Sequence, residues 1–372
     1  YEQAEEFANS LEAPFTPAKH QIQGFHSLIT DERGVLVSPT ASGKSFIIKM
    51  MIDWYGDKSH LIIVPTKNLV YQMRQDLIDY GTDPDEIQVV MGGETKVITK
   101  RITISTWQSI FKMPHDFFKA FEVVHGDECH LYEAKSLVGI LEKMTDCHYR
   151  FGYTGTLDED AKTNKLVLQG LFGKTRQFID TMGLVDIGFA SEFTVQCLTL
   201  RHHLNDRKKM RNADYQEELR YLNSHGPRNK FLAKLCLSCE GNTLILFERV
   251  ESHLEVVHKL LKEMAPPDRP VYLIHGGVDA EEREKIRLIT EKETNAIIAA
   301  SYGTFSTGNN VRNLHNLVRG SANKSRIWNL QSLGRILRKS PDGRNAKLFD
   351  IGDDIRTGQK ANHTLRHFAK RV

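Results

Sequence analysis

Eight residues, Ser38-Pro-Thr-Ala-Ser-Gly-Lys-Ser45, separate the apolar run Val35-Leu-Val37 from a helix-like stretch that runs from Ser45 to Trp54. A small-residue turn between strand and helix lets successive backbone N–H groups face a phosphate, and the helix N-terminus adds its dipole. Lys44 is then the candidate to reach the β- and γ-phosphates, and the Ser45 hydroxyl the candidate Mg²⁺ ligand, with Thr40, Ser42 and Gly43 completing the cradle. Ser38 stands where the formal phosphate loop has glycine. A second cluster, Asp127-Glu-Cys-His130, follows the apolar pair Val123-Val124. Two carboxylates at a strand end lie where α/β sheets bind ligands. Asp127 is suited to hold Mg²⁺ through water, and Glu128 to orient or deprotonate an attacking water. Alone, Gly-Lys-Ser reads as a helix start and an acidic pair as a solvated loop. In one α/β domain they supply a phosphate cradle, a metal site and a water-activating base.

The elements that must position these groups follow from periodicity. Leu61-Ile-Ile-Val64, Ile102-Thr-Ile-Ser105, Phe121-Glu-Val-Val124 and Tyr149-Arg-Phe-Gly152 are short apolar runs, and Leu69 to Tyr80 is helix-like. Such alternation predicts a parallel sheet covered on both faces. A change comes near Gly183 to Phe189, so the boundary is placed between residues 186 and 187. Phe193 to Leu200 then reads as a strand and Arg201 to Asn229 as a polar connection, whose charged stretch from Arg201 to Arg220 reads more as solvated than as a nucleic-acid contact. The rhythm restarts with strands at Thr243–Phe247, Val271–Ile274, Ala296–Ala300 and Lys347–Asp350, and helices at Ser252–Glu263 and Ala280–Thr290. Two tandem α/β domains, 1–186 and 187–372, are expected.

Composition agrees with that plan. The 372 residues are 40% hydrophobic and 26% charged, enough for a core in each domain. Fifty basic against 47 acidic residues leave a formal charge of only +3, so a nucleic-acid footprint has to be local. No apolar run approaches the roughly twenty residues of a membrane span, and Tyr1-Glu-Gln-Ala-Glu-Glu6 lacks the parts of a signal peptide, so a cytosolic protein is expected. The start at Tyr1 without methionine fits a longer parent as well as initiator removal. Five scattered cysteines do not form a disulfide framework, and the lone pair Cys236 and Cys239 lacks the second pair a zinc site needs.

With the phosphate loop and the acidic box in place, the chain resembles the superfamily 2 helicases, whose motifs I and II have these forms. Ala41 replaces the usual glycine of motif I. The resemblance extends in order through Pro17-Ala-Lys-His-Gln21 (Q motif), Pro65-Thr66 with Leu69 and Gln72 (Ia), Gly92-Gly93 (Ib), Ser105-Thr-Trp-Gln-Ser109 (Ic) and Thr154-Gly-Thr156 (III). It continues through Leu244–Phe247 (IV), the loop His275-Gly-Gly277, Ser301–Gly308 (V) and Gln331-Ser-Leu-Gly-Arg-Ile-Leu-Arg338 (VI).

What the resemblance implies is two RecA-like domains that use ATP and Mg²⁺ to move on nucleic acid. By it, Gln21 recognises adenine, and Gly308 and Asn310 lie near the nucleotide, with Asn310 where many relatives carry Asp. Pro65, Thr66, Gln72, Gly92, Gly93, Thr106, Gln108, Gly276 and Thr307 hold the strand backbone, contacts that fix position without reading sequence. His130, Thr154, Thr156 and Gln331 couple hydrolysis to strand handling. Arg335 and Arg338 are the candidate arginine fingers, a role suited to a planar guanidinium that binds phosphate oxygens bidentately. The Asp-Glu-Cys-His spelling, the run Ser301 to Leu314 and the segment Arg228-Asn-Lys230 narrow the resemblance to a phage branch. That branch implies ATP-dependent unwinding and branch migration of forked DNA, Holliday junctions and R-loops during recombination, repair and replication. The likeness covers nearly the whole chain but not a small N-terminal nucleic-acid-binding domain of that branch. Duplex translocation without strand separation, an RNA track, or a binding module with a vestigial ATP site are the alternative readings.

Overall fold

The computed structural model describes residues 1–92, 97–132, 134–155, 157, 162–306, 313–321 and 345–371. The chain divides into two compact units, Tyr1–Asp186 and Ile187–Val372. The first is built on seven strands: β1 (Arg33–Val37), β2 (His60–Val64), β3 (Ile87–Val90), β4 (Ile102–Thr106), β5 (Val123–Gly126), β6 (Tyr149–Thr154) and β7 (Thr175–Gln177). They lie in the order β3-β4-β2-β5-β6-β1-β7, and every pairing is parallel.

Parallel strands need crossovers, and the helices that make them cover both faces of the sheet. Successive side chains of one strand therefore enter different cores: Leu61 and Ile63 pack in one cluster, Ile62 and Val64 in the other. The uninterrupted apolar runs follow from this. Helix Lys44–Trp54 is buried from Phe46 to Ile52. Its one cationic interior residue, Lys49, pairs with Asp53 one turn later.

A polar ladder crosses the middle of this sheet. His60 on β2 meets His125 on β5 at 3.1 Å (Nδ1 to Nε2), and His125 Nδ1 meets the Tyr153 hydroxyl on β6 at 3.1 Å. All three residues are buried. Burial lowers His125 to a pKa of about 3 and depresses His60 as well. Both rings are thus held neutral.

The second unit carries β8 (Phe193–Arg201), β9 (Thr243–Phe247), β10 (Val271–Ile274), β11 (Ile297–Ser301), β12 (Asn316–Arg319) and β13 (Ala346–Asp354), ordered β10-β11-β9-β12-β13-β8 and again parallel throughout. The segment read as a polar connection, Arg201 to Asn229, is different here. After β8 it forms helices Leu204–Lys209 and Tyr215–Ser224 and opens helix Gly226–Ser238. Two of its charges are buried and structural: Glu218 accepts the His363 and Thr364 N–H groups, both 2.9 Å, at the start of helix His363–Arg371. The Arg228 guanidinium grips buried Asp353 at 2.9 and 3.0 Å, and His202 meets the same carboxylate at 2.9 Å. Composition cannot distinguish a buried ion pair from two solvated charges, and this is why the segment reads as a linker. Strands β3, β7 and β12 also escape the periodicity, being short, with β3 and β7 at the sheet edges. Cys236 and Cys239 are buried free thiols, raised by burial.

A histidine held neutral in the fold and free to protonate when unfolded adds stability that is complete above the unfolded pKa, near 6.5, and is lost as pH falls below it. Replacing His125 by Asn is expected to flatten the fall in unfolding free energy between pH 6.5 and 4.5 by roughly 1.4 kcal/mol per pH unit, measured by urea denaturation of both proteins. Equal slopes would mean that His125 protonates within the fold.

Candidate functional site

The phosphate loop is an extension of the β1–β6 pairing. Val37 lies opposite Thr154, and the Ser38 N–H continues the ladder by donating to the Thr154 carbonyl at 2.8 Å. Ser38, at the position of a formal glycine, turns its buried hydroxyl inward to the Ser42 hydroxyl at 2.6 Å. Two loop residues have left-handed backbones, Ala41 at φ 71° and Gly43 at φ 81°. Ala41 carries the cost of that conformation, about 1–2 kcal/mol, which the usual glycine would avoid. Gly43 has no such latitude, because a Cβ there would collide with the Gln21 amide nitrogen. Lys44 bends back over the loop, its ammonium donating to the carbonyls of Ser38 at 3.0 Å and Pro39 at 3.4 Å. Gly155 lies beside both this ammonium and Thr40.

Gln21 is buried and its amide already works inside the protein. Its Oε1 accepts the Ala18 N–H at 2.8 Å and its Nε2 donates to the Ser42 carbonyl at 3.0 Å, where His20 Nε2 also arrives at 3.0 Å. Burial lowers the His20 pKa, with the Ser42 carbonyl opposing it. The amide keeps one N–H and one lone pair for a further partner such as a base edge. Gln21 therefore ties the first turn of helix Lys19–Asp31 to the loop.

The acidic pair emerges from β5, one strand beyond β6. The Asp127 N–H is fixed to the Ile63 carbonyl at 2.9 Å. Burial and then the neighbouring Glu128 raise the Asp127 carboxyl, while Lys44 pulls it back. A carboxyl so penalised as an anion is one that a divalent cation would relieve, so the donor set of Asp127 and the Ser45 hydroxyl fits Mg²⁺. Glu128 turns the chain with a left-handed backbone, φ 47°. His130 joins the two ends: its Nδ1 lies 2.8 Å from the Thr154 hydroxyl and 3.3 Å from the Glu128 carboxylate. Lys44, Asp127, Glu128, His130 and Thr154 thus come from loops at the ends of β1, β5 and β6. Thr156 lies outside the described residues.

The loops expected to hold nucleic acid end the strands on the other side of β5. Thr66 caps helix Lys67–Asp79 after β2, with Pro65 before it and Gln72 on it. The Gln108 amide, following β4, donates to the Pro65 carbonyl at 3.4 Å, and the Thr106 and Ser109 hydroxyls meet at 2.9 Å. Gly92, after β3, is exposed in open space, whereas Gly93 is outside the described residues. In the second unit, the loop after β10 is shaped by the Gly277 N–H donating to His275 Nδ1 at 3.1 Å. Gly276 there lies beside Thr304, whose hydroxyl accepts from Ser301 at 3.0 Å after neighbouring β11. Thr307, Gly308, Asn310, Gln331, Arg335 and Arg338 lie outside the described residues.

Two features lie beyond the motif series. The Ser45 hydroxyl is 3.1 Å from that of Tyr80, which follows helix Lys67–Asp79. A cavity of about 370 Å³ opens in the second unit beyond β9 and β12, with Arg220, Asn223, Glu248, Arg249, Ser252 and Ser321 on its walls. Neither arginine forms a salt bridge among the described residues. The charged stretch ending at Arg220 was the one signal for this cavity.

Known proteins match along the same lines. Residues 14–159 fit the family model described as the Type III restriction enzyme, res subunit. The chain is 32% identical over 351 residues to the ATP-dependent DNA helicase uvsW of Enterobacteria phage T4, covering 91% of this chain and 69% of that protein. Among solved structures, Dbp5 of S. cerevisiae bound to RNA and ADP BeF3 superposes with a TM-score of 0.62 at 10% identity, over 95% of this chain and 90% of that one. The Mycobacterium smegmatis helicase Lhr bound to ssDNA and AMP-PNP also gives 0.62, at 17% identity over 90% and 45%. These distant structures establish the shared two-domain RecA-like architecture.

Glu128→Gln keeps the shape of the side chain expected to orient water and removes its basicity. It is expected to retain nucleotide affinity while hydrolysis falls by roughly 10²–10⁴. Equilibrium binding of a fluorescent nucleotide beside steady-state turnover makes the comparison, and turnover near that of the wild type would remove Glu128 from the role.

Proposed function

Because this chain belongs to the family of ATP-dependent superfamily 2 helicases that includes UvsW of phage T4, we propose that it unwinds or branch-migrates forked DNA, Holliday junctions and R-loops in phage recombination, repair and replication. One observation carries the mechanism: Lys44, the Asp127–Glu128 pair and the His130–Thr154 contact stand at the ends of three adjacent strands. The first unit is then the ATP-binding domain and the second the helicase C-terminal domain.

Each residue has a definite task. Lys44 leaves the carbonyls of Ser38 and Pro39 to pair with phosphate oxygens, a stronger charge-assisted contact than a neutral carbonyl offers. Ser45 and Asp127 would hold Mg²⁺, which when bound offsets phosphate charge. Glu128 orients the attacking water and takes its proton, and His130 transmits the state of that carboxylate to Thr154. Gln21 uses its spare hydrogen-bonding capacity on adenine. Arg335 and Arg338 are assigned to charge developing on the γ-phosphate, so that nucleotide favours one arrangement of the two domains and hydrolysis another. The loops holding Thr66, Gly92, Thr106 and Gln108 in one unit, and Gly276 and Thr307 in the other, grip the backbone of the track. Arg220 and Arg249 add phosphate contacts at the cavity beyond β9. Binding is then salt-sensitive and indifferent to sequence.

Hydrolysis by the wild type is expected to rise with nucleic acid and to vanish in Lys44→Ala. Single-stranded, duplex, forked, R-loop and RNA substrates compared side by side identify the track: strongest stimulation by forks and R-loops supports the proposal, by plain duplex a translocase, by RNA alone an RNA helicase. No hydrolysis with any substrate would leave a binding module. Arg220→Ala and Arg249→Ala are each expected to weaken nucleic-acid binding across all sequences and to reduce the slope of log affinity against log salt by about 1. An unchanged slope would take that arginine off the track.

A further inference from the structure

We propose that Tyr80 couples the nucleic-acid loop after β2 to the metal-binding serine, using helix Lys67–Asp79 as a rigid link. The inference rests on the helicase reading above and adds a residue that no helicase motif includes. The helix opens at Thr66, in the loop expected to hold the strand backbone, and continues for 13 residues, roughly 20 Å. Its inner face, Val70, Met73 and Leu77, is buried in the same core cluster as Phe46 to Ile48 of the helix that follows the phosphate loop. It cannot shift without pressing on that core, since close-packed interiors transmit displacement and do not absorb it.

At its far end the helix hands over to Tyr80. The Tyr80 N–H is tied to the Asp76 carbonyl at 3.0 Å, and its ring meets Phe46 and Phe15 edge to face, with centroids 5.3 and 5.5 Å away. Phe46 is the neighbour of Ser45, so the ring and the hydroxyl of Tyr80 both touch the first turn of helix Lys44–Trp54. The 3.1 Å contact between the Tyr80 and Ser45 hydroxyls matters chemically because of how a serine ligates a cation. It gives a lone pair to the metal and needs an acceptor for its own proton, and in this hydroxyl pair, where either oxygen can donate, metal binding at Ser45 would make Tyr80 oxygen the acceptor. Partners behind a metal ligand fix its orientation, and their loss commonly costs tenfold or more in metal affinity. A strand seated at Thr66 would thereby bias the metal site through one side chain, and by reciprocity a bound metal nucleotide would bias the grip on the strand.

Tyr80→Phe keeps the ring and its aromatic neighbours and deletes only the hydroxyl. The experiment measures the affinity of the full chain for a labelled single-stranded oligonucleotide, free and saturated with AMP-PNP, in Mg²⁺ and in EDTA. The ratio of the free and saturated affinities is the coupling factor. In Mg²⁺ the variant's factor is expected to fall at least fivefold toward 1 while its oligonucleotide affinity without nucleotide stays within twofold of the wild type. In EDTA the two proteins should behave alike. A factor unchanged within twofold in Mg²⁺ overturns the proposal, as does an equal loss of affinity with and without nucleotide, which would make Tyr80 merely structural. A wild type that hydrolyses ATP but shows no coupling overturns this proposal and leaves the helicase reading standing; one that binds no nucleotide overturns both.

Discussion

Parallel pairing of β5, β6 and β1 is the constraint from which the nucleotide site follows. Parallel strands place all their carboxyl ends on one edge of the sheet, so loops distant in the chain emerge as neighbours. Ser38 and Asp127 are far apart in sequence, yet each is fixed by a backbone hydrogen bond to a strand of the same sheet, Thr154 on β6 and Ile63 on β2. The order β3-β4-β2-β5-β6-β1 also sorts the edge by task. The residues assigned to nucleotide chemistry gather at β5, β6 and β1, and the loops assigned to the track gather at β3, β4 and β2.

The local charge balance at that edge explains the geometry of the loop. Lys44 donates to two carbonyls, while Asp127 is raised by burial and by Glu128. Both groups are held in environments that an anionic ligand with a divalent cation would improve, so ligand binding is favoured by what it relieves as much as by what it contacts. Gln21 and Gly43 add a steric condition: the loop closes over an amide that tolerates no side chain at residue 43.

The second unit is held by a different economy. Burial alone would push the Asp353 carboxyl up, yet Arg228 and His202 keep it low, and Asp350 is clasped by Arg319 at 2.7 Å and Arg371 at 2.8 Å. Removing one partner of such a pair strands a buried charge, so these contacts define which helix meets which strand more than they add to net stability. They anchor helices Gly226–Ser238 and His363–Arg371 against β13, and Glu218 ties the helix that carries Arg220 to the start of helix His363–Arg371.

Much of this protein is decided by sequence alone, because the determinants are local. A small-residue turn with Gly43 and Lys44 between strand and helix, an acidic pair after Val123-Val124, and apolar runs of strand length state the architecture and its chemistry without reference to distant contacts. The order of the motifs states the family. Tertiary structure decided the rest. That Ala41 sits in a left-handed backbone, that Gln21 is tied to Ser42, that His130 bridges Glu128 and Thr154, and that Arg201 to Asn229 is anchored are outcomes of which strands become neighbours. So is the meeting of Tyr80 with Ser45, 35 residues apart. Periodicity records which face of an element is apolar, not what that face will meet, and polar groups buried in pairs leave no periodic trace at all.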